Sequence, residues 1–137
     1  MDLAFSQKIE KPWGYELILT PPSSPVTGKI LHVSKGARSS LQYHDKKEET
    51  LCLLNGQAKL ILEDENGQLQ EFEMEPKKGY FIKPFKKHRY CGVTDCDILE
   101  ASTKEEGNTF RIEDDYNRGT ESKENRKQRG GGGVYLG

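Results

Sequence analysis

Nowhere along this chain do apolar side chains recur at i, i+3, i+4 and i+7 over a long stretch. Short strand-like runs bounded by turn residues follow one another instead. Residues 15–19 end at Pro21-Pro22-Ser23-Ser24-Pro25, whose prolines donate no ladder hydrogen bond. Residues 29–34 close at Lys35-Gly36, and residues 49–54 and 57–63 flank Asn55-Gly56, a dipeptide suited to a tight type I′ hairpin. A second turn spans 63–67, residues 68–74 alternate polar with apolar, and 76–79 turn into 80–82. Residues 87–93 and 97–102 complete a set of about eight short strands at close, even spacing. That pattern predicts an all-β sandwich or barrel.

The 137 residues suffice for one domain with a sizeable core, not for two ordinary ones. The domain is read as residues 1–118. Past it, residues 119–137 are polar and then glycine-rich, and such a segment buries too little apolar surface to offset its ordering entropy, so a disordered tail is expected. A net charge of −1 and the lack of a basic stripe with interleaved aromatics argue against a nucleic-acid partner. No apolar run approaches the roughly 20 residues of a spanning helix, so no membrane partner is expected. No signal peptide is readable at the N-terminus. Cys52, Cys91 and Cys96 fit neither a disulfide framework nor a zinc ribbon, and reduced thiols in a cytoplasmic protein are the simplest account.

Arg38, Ser40, Gln42 and His44 alternate, so in a strand they share one face, with Leu41 and Tyr43 on the other. An all-polar face is either the solvent side of an edge strand or the wall of a polar site. Glu49 leads into the apolar run 50–54, where a carboxylate needs a partner. His88 follows a loop and precedes the next strand. Two histidines, a glutamate and a side-chain amide suit zinc, iron, manganese or nickel, and the residues alone do not choose among them.

Gly36, Gln42, His44, Glu49 and Gly56 resemble the first motif of the cupins, although that family more often has histidine where Gln42 stands. Gly79, Ile82-Lys83-Pro84 and His88 resemble the second motif, with Phe85 in place of the usual loop glycine. Within the cupins the chain is similar to the mannose-6-phosphate isomerases, in particular the C-terminal cupin of the bifunctional (type II) bacterial enzymes. Four segments carry that likeness: Lys11-Pro12-Trp13-Gly14-Tyr15-Glu16, residues 36–44, Lys87-His88-Arg89, and residues 111–118. The resemblance implies a single-domain cupin, a jelly-roll barrel or double-stranded β-helix. It also implies one divalent ion, zinc first among the candidates, held by Gln42, His44, Glu49 and His88.

The implied reaction interconverts mannose 6-phosphate and fructose 6-phosphate through a cis-enediol, an aldose–ketose isomerisation in carbohydrate metabolism. It needs a base near C2 and charge stabilisation at two oxygens. Glu100, a carboxylate in an apolar run, and Arg111 are candidates from position and resemblance, with Lys47 and Tyr90 ranked after the metal ligands. Ser40, Arg38 and Lys87 are candidates for the phosphate. Trp13 and His32 read as structural. The alternatives are a non-catalytic metal-binding cupin for a sugar or small acid, and another cupin enzyme. Among those enzymes, a metal-free epimerase is disfavoured because no His–Asp pair stands out, whereas an iron dioxygenase stays open. The resemblance also allows a homodimer, with residues 6–13 available to build it.

Overall fold

The computed structural model describes residues 4–104, 106–116 and 118, so the segment 119–137 lies outside it. Eleven strands follow in chain order, and the described residues contain no helix. They are β1 (Gln7–Lys11), β2 (Gly14–Ile18), β3 (Val26–Val33), β4 (Leu41–His44), β5 (Glu49–Asn55), β6 (Ala58–Glu63), β7 (Leu69–Glu73), β8 (Gly79–Ile82), β9 (His88–Gly92), β10 (Cys96–Thr103) and β11 (Thr109–Glu113). One sheet has the order β1-β2-β3-β10-β5-β8 and the other β11-β4-β9-β6-β7. Neighbours in each sheet run antiparallel. The all-β architecture matches the sequence expectation. The N-terminal segment expected to be available for a dimer is paired within the chain, since β1 forms a hairpin with β2.

Asn55-Gly56 departs from expectation. It joins β5 and β6, which lie in different sheets and do not pair, so it is a corner between layers and not a hairpin turn. Gly56 is required there because its φ is +77° and a Cβ would collide with the Asp95 carbonyl oxygen. The chain between 63 and 67 does form a hairpin, with the Asp64 carboxylate accepting from the Asn66 and Gln68 amides.

Alternation sets the interior. β3, β5 and β10 bury every second residue, and the core takes Leu31, Val33, Leu51, Leu53 and Ile98 from one sheet and Ala58, Leu60 and Tyr90 from the other. Trp13 is buried with its ring edge-on to Tyr90, centroids 5.3 Å apart. The same inward faces then change character. Lys29 precedes Leu31, Glu49 precedes Leu51, Glu100 follows Ile98, and His88 precedes Tyr90, all four buried. Register makes the changes coincide: Lys29 lies opposite Glu100, and Ser102 opposite both Thr27 and Glu49. The interior therefore has an apolar end and a polar end.

Candidate metal centre

The polar end collects the four predicted ligands from three strands, β4, β5 and β9. Gln42 and His88 face each other across β4 and β9, and His44 lies one alternate position along from Gln42. Glu49 opens β5, and all four side chains are buried. One ligand atom each from His44, Glu49 and His88 falls within 4.8 Å of the others, so this cluster could hold a metal ion. Gln42 accepts a hydrogen bond on Oε1 from the Ser40 hydroxyl at 2.6 Å, which fixes its amide beside the cluster.

Hydrogen bonding explains why a cation fits there. His88 Nδ1 lies 2.9 Å from the Lys86 carbonyl oxygen, which can only accept, so that nitrogen carries the proton. In the neutral ring Nε2 is then a bare lone pair, yet it sits 2.9 Å from Glu49 Oε1, another acceptor. His44 Nδ1 lies 2.8 Å from the Thr109 hydroxyl on its far side, and its Nε2 lies 3.7 Å from Glu49 Oε1. Both Nε2 atoms are buried without a hydrogen-bond partner. Burial, followed by the nearby Lys47 ammonium, lowers the His44 pKa and keeps its ring neutral. Lone pairs converging on a carboxylate oxygen repel one another unless a cation stands between them. The backbone or hydroxyl partner on each far nitrogen is the usual device for aiming a metal-binding imidazole.

Lys47 and Glu100 complete the site. The buried Lys47 ammonium lies 3.2 Å from Glu49 Oε2 and 3.0 Å from Glu100 Oε2, joining the two carboxylates. Burial alone would raise the Glu49 pKa, but Lys47 and the two imidazoles outweigh it and hold the carboxyl well below its usual range. Ser102 donates to Glu100 Oε2 at 3.0 Å. Arg111 stands opposite Gln42 in register, on the strand that also supplies Thr109. Tyr90 is buried, and its hydroxyl pKa is pushed well up by burial and then by the charges of Glu16, Glu100 and Glu49. It faces the polar end as a neutral phenol.

Of the three expected phosphate contacts, one reaches the site and two are placed differently. β4 begins only at Leu41, so the alternation that would bring Arg38 into the wall breaks before it. Arg38 is exposed and makes a bidentate pair with Asp115 at 2.8 and 2.9 Å. Lys87 immediately precedes the inward-facing His88, and its backbone amide donates to Glu63 Oε1. Ser40 does reach the site, but its proton is committed to Gln42. Phe85 occupies the loop position where glycine was expected, and it adopts φ +67°, so the loop keeps a left-handed shape. Its amide donates to the His44 carbonyl at 2.7 Å.

Sequence reasoning missed several participants. Thr109 lies on a strand with no clear signature, so its bond to His44 had no signal. Glu16 and Lys29 were detectable, because each alternates in phase with buried apolar residues, Ile18 and Leu31. A His–Asp pair also exists: His32 Nδ1 lies 2.8 Å from Asp97 Oδ1, and the imidazole stacks on Tyr15. It is half-exposed on the outer face of the six-stranded sheet, away from the cluster.

Fold and site together define a cupin-type double-stranded β-helix with a buried His-Glu-His cluster. Solved structures of known proteins share that fold. Oxalate decarboxylase from Bacillus subtilis superposes with a TM-score of 0.67 at 19% identity, over 81% of this chain and 32% of that one. The capsular polysaccharide assembling protein CapF from Staphylococcus aureus gives 0.62 at 12% identity, over 86% and 32%. KdgF from Halomonas sp. gives 0.59 at 13% identity, over 74% and 87%. This chain thus spans about a third of the first two proteins and most of the third. No protein-family model matches the chain, and no curated protein matches it.

Proposed function

We propose that this protein is a metal-dependent sugar-phosphate isomerase that interconverts mannose 6-phosphate and fructose 6-phosphate. The observation that carries the reading is a carboxylate one lysine away from a metal ligand: Glu100 and Glu49 share the Lys47 ammonium. Isomerisation moves a proton from C2 of the aldose to C1 through a cis-enediol while a second proton passes from O2 to O1, which calls for a carboxylate beside a centre of positive charge. When bound, a divalent ion, zinc by preference, supplies stabilisation for negative charge on the substrate oxygens. Glu100 carries the proton, held in place by Lys47 and Ser102. Arg111, opposite Gln42 in register, is assigned the stabilisation of the negative charge that develops on the substrate.

Charge balance supports an anionic substrate. The buried inner wall holds three cations (Lys11, Lys29, Lys47) and three carboxylates (Glu16, Glu49, Glu100). A divalent ion with neutral imidazoles therefore leaves an excess of positive charge in a low-dielectric interior, which an anion offsets.

The two-histidine, one-carboxylate set favours a second reading, a ferrous dioxygenase. Metal analysis of the purified protein, with Gln42→Ala and His88→Ala variants as controls, together with a coupled assay for fructose 6-phosphate, separates the two. Zinc-loaded protein that turns over mannose 6-phosphate is the expected result. Metal-replete protein inert on hexose 6-phosphates, or oxygen consumption by the iron form, would sink the isomerase reading and leave the metal centre standing.

A further inference from the structure

The Lys-Pro-Trp-Gly-Tyr-Glu segment contributes two buried charges that the proposed reaction does not use. Glu16 Oε1 accepts from Lys29 Nζ at 3.1 Å, and Glu16 Oε2 lies 3.5 Å from Lys11 Nζ. Glu16 and Lys29 are fully buried and Lys11 nearly so. Burying three charged groups is costly, and a core of this size would be at least as stable with apolar residues of similar volume. Lys29 is also the cross-strand partner of Glu100, and both side chains are buried on the inward face. Such partners lie side by side in an antiparallel sheet. The buried charges thus alternate in sign along this wall: Lys11, Glu16 and Lys29 are joined by ion pairs, Lys29 lies opposite Glu100 in register, and Lys47 joins Glu100 to Glu49 beside the two imidazoles.

We propose that Glu16 and Lys29 are positioning residues that set how much of the Lys47 ammonium Glu49 receives, and so tune metal affinity from outside the ligand set. Lys47 is shared between Glu100 and Glu49 at nearly equal distances, so whatever Glu100 gains from Lys29 it needs less from Lys47. Loss of Lys29 removes a cation from beside Glu100, draws the Lys47 ammonium away from Glu49 and frees that carboxylate for a cation. Loss of the Glu16 charge does the opposite, because Lys29 turns further towards Glu100 and Lys47 towards Glu49. Lys11 pairs with Glu16 at the far end of the array and transmits little.

The proposal rests on the metal reading of the site and is independent of the isomerase reaction. Its test is zinc affinity by competition with a chromogenic chelator, measured on the full chain and on Glu16→Gln, Lys29→Met, Lys29→Arg and Lys11→Met, with circular dichroism to confirm folding. Glu16→Gln is expected to weaken zinc binding about tenfold, and Lys29→Met to tighten it about tenfold, the size usual for groups just behind metal ligands. Lys29→Arg restores the parent affinity, and Lys11→Met moves it much less than Lys29→Met does. Loosened packing would weaken binding and a general field would move Lys11→Met alike, so tightening in Lys29→Met that Lys11→Met does not share is the decisive outcome. Equal shifts from Lys11→Met and Lys29→Met would reduce the effect to a general field and overturn the proposal, as would unchanged or weakened binding in Lys29→Met. If Glu16→Gln does not fold, the two lysine variants still decide. A parent protein with no zinc affinity overturns the metal reading itself. A parent that binds, with unmoved variants, overturns this proposal alone.

Discussion

The two ends of the interior are built on the same strands and obey opposite rules. At the apolar end Leu31, Leu51, Leu53, Leu60 and Ile98 are interchangeable in kind, and stability there scales with volume filled. At the polar end every group needs a particular partner, so stability depends on completeness. One residue along β5 separates Glu49 from Leu51, and one along β10 separates Ile98 from Glu100. A strand thus carries both regimes within about 7 Å, given the rise of a β-strand. What an alternating pattern specifies is which residues face inward, and the partners across the sheet then decide what that interior is for.

The largest effect expected comes from breaking completeness. Lys47→Met leaves two buried carboxylates sharing no cation and should cost the metal-free protein about 3–5 kcal/mol in urea unfolding. Adding Glu49→Gln and Glu100→Gln to that variant should return most of the stability while removing metal binding. Leu51→Ala at the other end should cost about 2–5 kcal/mol, and no second deletion there repairs it. If the triple variant were no more stable than Lys47→Met alone, the two ends would not differ in the way described.

Acid should separate the ends more gently. The folded-state pKa of His44 lies below its ordinary value, so the unfolded chain takes up the proton first, and stability begins to fall as pH drops below about 6.5. Glu49, held well below the carboxylate range, contributes stability present above about 4.5 and lost as pH falls through its folded value. Metal-free protein should therefore lose stability in two stages on acidification, and Glu49→Gln should remove the lower one. Unfolding midpoints measured from pH 8 to pH 3 check this. The smallest effect is local: Phe85 sits at φ +67°, so Phe85→Gly should be more stable than Phe85→Ala by about 1 kcal/mol.

Much of this was legible in advance, for physical reasons. Short alternating runs report strands because side chains point to opposite faces in turn, and the ligands showed themselves as polar residues out of place in that pattern. Residues 38–44 were only half readable: Gln42 and His44 sit on β4, but the break before Leu41 turned Arg38 outward, and nothing local marks such a break. Asn55-Gly56 misled because its backbone preference is the same at a corner between sheets as in a hairpin. The Lys11–Glu16–Lys29 group was invisible as a group, since only the register of β2, β3 and β10 brings it beside Glu100.

The pairing of β3 with β10 has a consequence for how the chain acquires this structure. Val26 to Val33 must wait for Cys96 to Thr103 before the central pair of the larger sheet can close. Loops that long are slow to close, and proteins dominated by such pairings fold in milliseconds to seconds. On the ribosome, β4 and β5 emerge with His44 and Glu49 well before His88 and Thr109. A cation held by this cluster would find its full ligand set only after β9 and β11 have paired with β4.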